Sequence, residues 1–125
     1  MVSKAQFPAE QSAEGEFVRQ DDAFRDWLSA DGSTPQPFAA GRYHLYVSLA
    51  CPWACRALIV RKLKGLEEVV GVTIVDPIRD ERGWIFREGP GCTTDPVNGF
   101  VFLREAYVAT RPAYEGRVTV PVLWD

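Results

Sequence analysis

What this 125-residue chain lacks already limits what it can be. It has no apolar run near the length that crosses a bilayer, and its first segment, MVSKAQFPAEQSAEGEF, lacks the apolar core of a secretory signal. Its net charge is only −3, which favours neither nucleic acid nor an anionic membrane as a partner. Its three cysteines are few and odd in number, which disfavours a disulfide scaffold and favours a reducing compartment. We therefore expect a cytoplasmic protein that binds neither nucleic acid nor membrane.

Hydrophobic periodicity predicts alternating strands and helices after residue 41. The predicted strands span 43–48, 69–75 and 118–123, and the predicted helices span 52–64 and 100–110. A further short helix is predicted over 21–32, because Phe24, Trp27 and Leu28 share helical spacing. We accordingly divide the chain into an extension with this short helix, residues 1–41, and a domain, residues 42–125.

The order of these elements predicts a small α/β fold. A strand–helix–strand unit with a short crossover implies two parallel neighbouring strands, connected with right-handed topology. A cysteine after the first strand and an X-Pro bond within the third narrow this prediction to a thioredoxin-like fold. Residues 76–95 show no clear element, and a loop of that length in a compact domain is often functional.

Cys51 stands between a β-rich run and a helical run, in LYVSLACPWACRALIV. Backbone N–H groups and the positive end of the helix dipole lie at such a junction, and both favour a thiolate. A buried structural cysteine is the alternative, but Pro52, which suits a first helical turn, favours a nucleophile. Trp53 is predicted near the mouth of the site, where packing is an equally good role for it.

The remaining cysteines and the one histidine are interpreted as structural. Cys55 follows Cys51 by four residues, not the three of a dithiol site, and shares its face with Leu58 and Ile59, so we expect it in the core. Cys92 is interpreted as incidental. His44 stands alone in a predicted strand. The spacing of these side chains does not match a zinc site, and we predict no metal.

Val120-Pro121 is the second feature that points to chemistry. Proline inside a strand removes a ladder donor, and a cis peptide bond would explain its presence there. The backbone of Val120 could then face Cys51 and pair with an extended peptide. An edge-strand proline without a ligand is the alternative.

Four segments together carry a family resemblance. They are GRYHLYVSLACPWACRALIVRKLKGLEEVVGVTIVDP, GWIF, FLREAY and GRVTVPVLWD. Over residues 17–125 the chain resembles the N-terminal domain of glutathionyl-hydroquinone reductases, the Xi class of glutathione transferases. The resemblance implies glutathione-dependent reduction of glutathionyl-hydroquinones to hydroquinones, with glutathione as co-substrate and a homodimeric full-length protein.

The resemblance also implies parts that the 125 residues do not contain. These are the last strand and helix of the thioredoxin-like domain, a Glu-Ser pair for the γ-glutamyl group, and an all-helical C-terminal domain. We therefore expect a truncated thioredoxin-like glutathione-binding domain of β-α-β-α-β order. By itself it would be weakly active or inactive.

Site residues carry over from the resemblance position by position. Cys51 is implied as the catalytic nucleophile, with Pro52 and Trp53 as support and Pro121 as a cis-proline. The implied glutathione contacts are Trp84, Arg117, Val118, Thr119 and Val120. The guanidinium of Arg117 also suits a glutathione carboxylate, although a solvated surface charge is nearly as good an interpretation.

Two other functional classes stay open. One is an omega-like thiol transferase or dehydroascorbate reductase that uses the same cysteine. The other is a non-catalytic fragment that binds glutathione or a partner protein, since an unpaired sheet edge invites strand pairing.

Overall fold

The computed structural model describes residues 10–125. The elements are β1 (Leu28–Ser29), β2 (Gln36–Pro37), β3 (His44–Val47), α1 (Pro52–Leu63), β4 (Gly71–Ile74), α2 (Leu103–Thr110) and β5 (Val122–Trp124). A three-stranded sheet has the order β4–β3–β5, and the short strands β1 and β2 form a separate pair. None of the helices in these residues is long and apolar enough to cross a membrane.

The predicted strand–helix–strand unit is confirmed. β3 and β4 pair in parallel, and α1 forms the crossover between them. Pro52 occupies the first turn of α1, where its missing N–H breaks no hydrogen bond, and basic residues in the last turn suit the helix dipole. Gly65 follows with a φ of +64°, the conformation that lets a chain leave a helix.

The core lies between the sheet and the helices. Tyr46 and Val47 of β3, Ala54 of α1 and Leu103 of α2 are fully inaccessible to solvent. The predicted burial of Cys55 is wrong, because that side chain is exposed on the outer face of α1, where Leu63 is 79% exposed. The helix packs on the core through buried Ala54, with Ala57 and Leu58 partly buried beside it.

Residues 76–95, for which the sequence predicted no helix or strand, form a loop with buried side chains and defined backbone hydrogen bonds. Trp84, Ile85 and Phe86 are all buried. Their backbones are fixed by hydrogen bonds in which Asp76 N–H donates to Ile85 O (2.9 Å) and Phe86 N–H donates to Val101 O (2.8 Å). The buried carboxylate of Asp95 accepts from the hydroxyl of Tyr46 at 3.0 Å. The loop is therefore part of the core.

The helix predicted over 21–32 is absent, and this prediction is wrong. The segment is irregular apart from β1, which pairs in parallel with β2. Phe24 packs its ring edge-on against Tyr107, with 5.4 Å between the ring centroids. This contact with α2 overrides the local helical spacing, and Trp27 stays 79% exposed. Residues 1–9 of the predicted extension lie outside the described residues.

The third strand is shorter than predicted. β5 begins at Val122, directly after Pro121, and runs antiparallel to β3. Residues 118–121 are not paired in the sheet, and the Val120–Pro121 peptide bond is cis. This break leaves Val120 at the end of the sheet where α1 begins.

Candidate active site

Cys51 is the N-cap residue of α1. Its backbone is extended, with φ −104° and ψ 116°, and its carbonyl accepts the N–H of Cys55 at 3.0 Å. The thiol is partly buried, and its Sγ donates to the carbonyl oxygen of Val120 at 3.6 Å. The sulfur therefore lies between the first turn of α1 and the peptide bond before Pro121.

The chain before Pro121 is held from its other side by α2. The hydroxyl of Tyr107 donates to the carbonyl oxygen of Thr119 at 3.0 Å and accepts the Thr119 N–H at 3.3 Å. The hydroxyl of Tyr114 donates to the carbonyl oxygen of Arg117 at 2.5 Å. Burial raises the pKa of Tyr114, which keeps this hydroxyl a donor. Two tyrosines thus fix the backbone that faces Cys51.

A cavity of about 750 Å³ opens in front of Cys51. It brings together most of the residues that the sequence proposed for the site. These are Cys51, Pro52, Trp53, Trp84, Arg117, Thr119, Val120 and Pro121. Val118 does not line it and lies in the core, 8% exposed. The residues around Phe24 form another wall, so the segment predicted as a helix borders the site.

Trp84 presents an unsatisfied donor at this cavity. The side chain is 6% exposed, and its Nε1 has no hydrogen-bond partner among residues 10–125. Buried indole N–H groups normally have a partner, so a ligand that accepts this hydrogen bond would remove a penalty. The guanidinium of Arg79 lies over the indole, 4.4 Å from its centroid.

Arg117 is not a solvated surface charge. Its Nε lies 2.8 Å from a carboxylate oxygen of Glu10, and the two side chains are 12% and 3% exposed. The carboxylate that its guanidinium was expected to meet is thus supplied, in this structure, by the chain itself. Arg117 lines the cavity with one ionic partner already in place.

Sequence reasoning missed several residues of the cavity wall. Arg19 stacks on Trp53 at 4.6 Å, and Phe24, Arg79, Tyr107 and Tyr114 also line the space. No spacing rule marks them, because they come from three segments that only the fold brings together. The sequence offered one indication for Arg79: it precedes Trp84 by five residues in a loop without a predicted element, and arginine often packs on tryptophan.

The other candidates for chemistry have structural surroundings. His44 Nε2 lies 2.7 Å from Thr73 Oγ1, which confirms its interpretation as a structural histidine. Cys92 is buried, at 5% exposure. Among residues 10–125, no three side chains of the metal-binding types lie close enough together to hold an ion.

The fold and the site together define a class: a thioredoxin-like domain with a cysteine at the start of its crossover helix, facing a cis-proline. No family model matches the chain. It is 52% identical over 122 residues to glutathionyl-hydroquinone reductase YqjG of Escherichia coli (strain K12), a match that covers 91% of this chain and 37% of the relative.

Comparison with solved structures finds the same class of protein. Glutathione transferase Xi from Phanerochaete chrysosporium superposes with a TM-score of 0.81 at 48% identity, over 87% of this chain and 37% of that one. Glutathione-bound YqjG from Escherichia coli K-12 superposes with a TM-score of 0.78 at 51% identity, over 82% and 36%. Over most of its own length the chain is therefore similar to the N-terminal part of Xi-class glutathione transferases, and it spans little more than a third of these relatives.

Proposed function

We propose that the protein uses glutathione to reduce glutathionyl-hydroquinones to hydroquinones through a Cys51–glutathione mixed disulfide. The observation that carries the proposal is the position of the Cys51 sulfur, 3.6 Å from the carbonyl oxygen of Val120 and open to a cavity of about 750 Å³. A sulfur so placed meets an extended peptide at its own cysteine, and glutathione is such a peptide. Relatives named for this activity support the assignment.

The reaction divides into two thiol steps. In the first, the Cys51 thiolate attacks the sulfur of the conjugate, an S–S bond forms and the bond from sulfur to the aromatic carbon breaks. The electron pair stays with the ring carbon, which takes a proton to give the hydroquinone. In the second, a glutathione thiolate attacks the mixed disulfide, releasing oxidised glutathione and the Cys51 thiolate. One glutathione is consumed for each conjugate reduced.

The residues around Cys51 have separate roles in this proposal. Val120 pairs its backbone with the cysteinyl part of glutathione, and Pro121 sets the direction in which that backbone points. Trp84 donates its Nε1–H to the peptide, while Arg117, Val118 and Thr119 form and support the wall beside it. Trp53, which is half exposed at the cavity, offers an apolar face to the aromatic ring. We further propose a cytoplasmic homodimer without nucleic-acid or membrane partners.

The test is turnover of the glutathione conjugate of 1,4-hydroquinone with excess glutathione, with both products separated by chromatography. We expect one hydroquinone and one oxidised glutathione per cycle, and no turnover by Cys51→Ser. Dehydroascorbate serves as the competing substrate. Faster turnover of dehydroascorbate would instead assign an omega-like reductase, and glutathione binding without either turnover would assign a binding role.

A further inference from the structure

Four arginines border the cavity in front of Cys51: Arg19, Arg25, Arg79 and Arg117. Arg117 pairs with Glu10, and Arg19 lies 4.0 Å from Asp22. Arg25 and Arg79 have no ion-pair partner among residues 10–125, and of these two only Arg79 lies over Trp84. It lines the cavity nonetheless, and it is held by a ring and not by an opposite charge.

The stacking on Trp84 determines what Arg79 can still bind. The guanidinium carbon lies over the indole, 4.4 Å from the ring centroid, within the range of a cation–π contact. The N–H groups of the guanidinium lie at its edges, in the fork that matches a carboxylate. Trp84 adds a donor without a partner beside it. The two side chains together form a positively charged corner that lacks an acceptor.

This corner lines the same cavity as the nucleophile, together with Arg117. Burial lowers the pKa of Arg79, the charge of Cys51 raises it, and the positive charge of Arg117 lowers it. A tripeptide whose cysteine lies at Cys51 has a charged end only a residue away from its sulfur, so such an end can reach this corner.

We propose that Arg79 binds a terminal carboxylate of the glutathionyl group. Arg117 is less suited to this role, because its guanidinium already pairs with Glu10. This inference rests on the proposed function and adds a specificity-determining residue to it. Glutathione has two such carboxylates, one on glycine and one on the γ-glutamyl residue, and the chemistry recognised at Arg79 is the same for either. Asp21, Asp22 and Asp26 also line the cavity, which makes a free cation more important for holding an anion there.

The experiment compares three conjugates of one hydroquinone: with glutathione, with its glycyl ethyl ester, and with the γ-aminobutyryl analogue that lacks the other carboxylate. We expect the wild-type protein to prefer the parent to one analogue by about fivefold in kcat/KM, the size of a charged hydrogen bond that solvent still reaches. Arg79→Gln should remove that preference through KM, and Arg79→Lys should keep part of it. The analogue against which the wild-type protein discriminates, and Arg79→Gln does not, identifies which carboxylate Arg79 binds.

Arg82→Gln is the matched control, since Arg82 lies in the same loop and pairs with Asp80. It should keep the wild-type preference. Equal losses for all three conjugates in Arg79→Gln, or an unchanged preference, would overturn the assignment while leaving the proposed function intact. If the wild-type protein neither binds glutathione by calorimetry nor turns over the parent conjugate, both proposals fall.

Discussion

At the scale of single residues, Cys51 and Cys55 carry the same thiol in very different surroundings. Cys51 is partly buried at the start of α1 and faces Val120, whereas Cys55 lies exposed one turn later. We expect oxidised glutathione to modify Cys51 at least about tenfold faster, because only Cys51 combines a helix N-terminus with a surface that holds the peptide. Cys51→Ser should abolish stable glutathionylation, and Cys55→Ser should leave it largely intact.

Intact-mass measurement followed by peptide mapping distinguishes the sites, and iodoacetamide supplies the comparison. Because Cys55 is exposed, the small reagent should label it as well, so selectivity appears only with glutathione. Cys92 is buried and serves as an internal control for unfolding. Equal glutathionylation of Cys51 and Cys55 would mean that no peptide-binding surface distinguishes them.

Cys51 and Pro121 could be predicted from sequence because each stands at a break between two patterns. The junction of strand and helix marks the cysteine, and proline in a β-rich run marks the second position. The partner of Arg117 could not be predicted, since Glu10 lies near the opposite end of the chain and no periodicity links them. Arg79 was missed because its contact with Trp84, five residues later in the same loop, depends on the conformation of the loop and not on a periodic pattern.

At the scale of elements, β3 and β4 show how closely two strands can constrain a side chain. Gly71 lies opposite His44, and a Cβ there would stand 2.4 Å from His44 Nδ1. The imidazole is held by Thr73 and by the ring of Tyr46, so it cannot move away freely. We expect Gly71→Ala to lower the free energy of unfolding by about 1–3 kcal/mol, the usual cost of overpacking.

A double-mutant cycle tests the cause of that loss in urea unfolding. His44→Ala removes the ring that the new methyl group would meet, so Gly71→Ala should cost much less in that background. The same loss in both backgrounds would place the clash elsewhere.

His44 should also make the stability of the sheet depend on pH. Burial lowers its pKa below the ordinary value, an effect that Asp95 partly offsets and Arg61 adds to. The unfolded chain therefore binds a proton more readily, and stability that is present above about pH 6.5 should be lost as the pH falls towards the folded pKa. It is the only histidine of the chain, so His44→Gln isolates its contribution.

The measurement is the free energy of unfolding at about pH 7 and about pH 5.5, where few other groups titrate. The wild-type protein should lose more stability between the two than His44→Gln does. Parallel pH profiles would contradict the expectation. The single imidazole resonance gives the folded pKa directly by NMR titration.

The elements themselves were predictable where local pattern and packing agree. β3, α1, β4 and α2 follow their apolar spacing to within a few residues. The outer face of α1 was misjudged because Ile59 and Leu63 indicated burial, whereas the helix packs on the core through other residues, Ala54 foremost. Residues 21–32 have helical spacing too, but Phe24 gains more from the rings of Tyr107 and Tyr114 than a short isolated helix offers.

At the scale of the whole molecule, one buried ion pair joins the two ends of the described chain. A carboxylate oxygen of Glu10 lies 2.8 Å from Arg117 Nε and accepts the N–H of Gln20 at 3.1 Å. The carbonyl oxygen of Glu10 accepts the N–H of Val18 at 2.7 Å. Glu10 thereby fixes the segment that leads to the cavity wall against the residues that precede Pro121.

Glu10→Gln tests how much the molecule depends on this connection. The amide has the shape of the carboxylate but no charge, and it leaves the largely buried guanidinium without that ionic partner. Removing one member of a buried pair typically costs about 3–5 kcal/mol, so we expect a loss of unfolding free energy near that size in urea. Glu10→Gln combined with Arg117→Met should lose less than the sum of the single changes, because no unmatched charge is left at this contact. Strict additivity, or a loss within the range of surface substitutions, would show that the pair does not hold the two ends together.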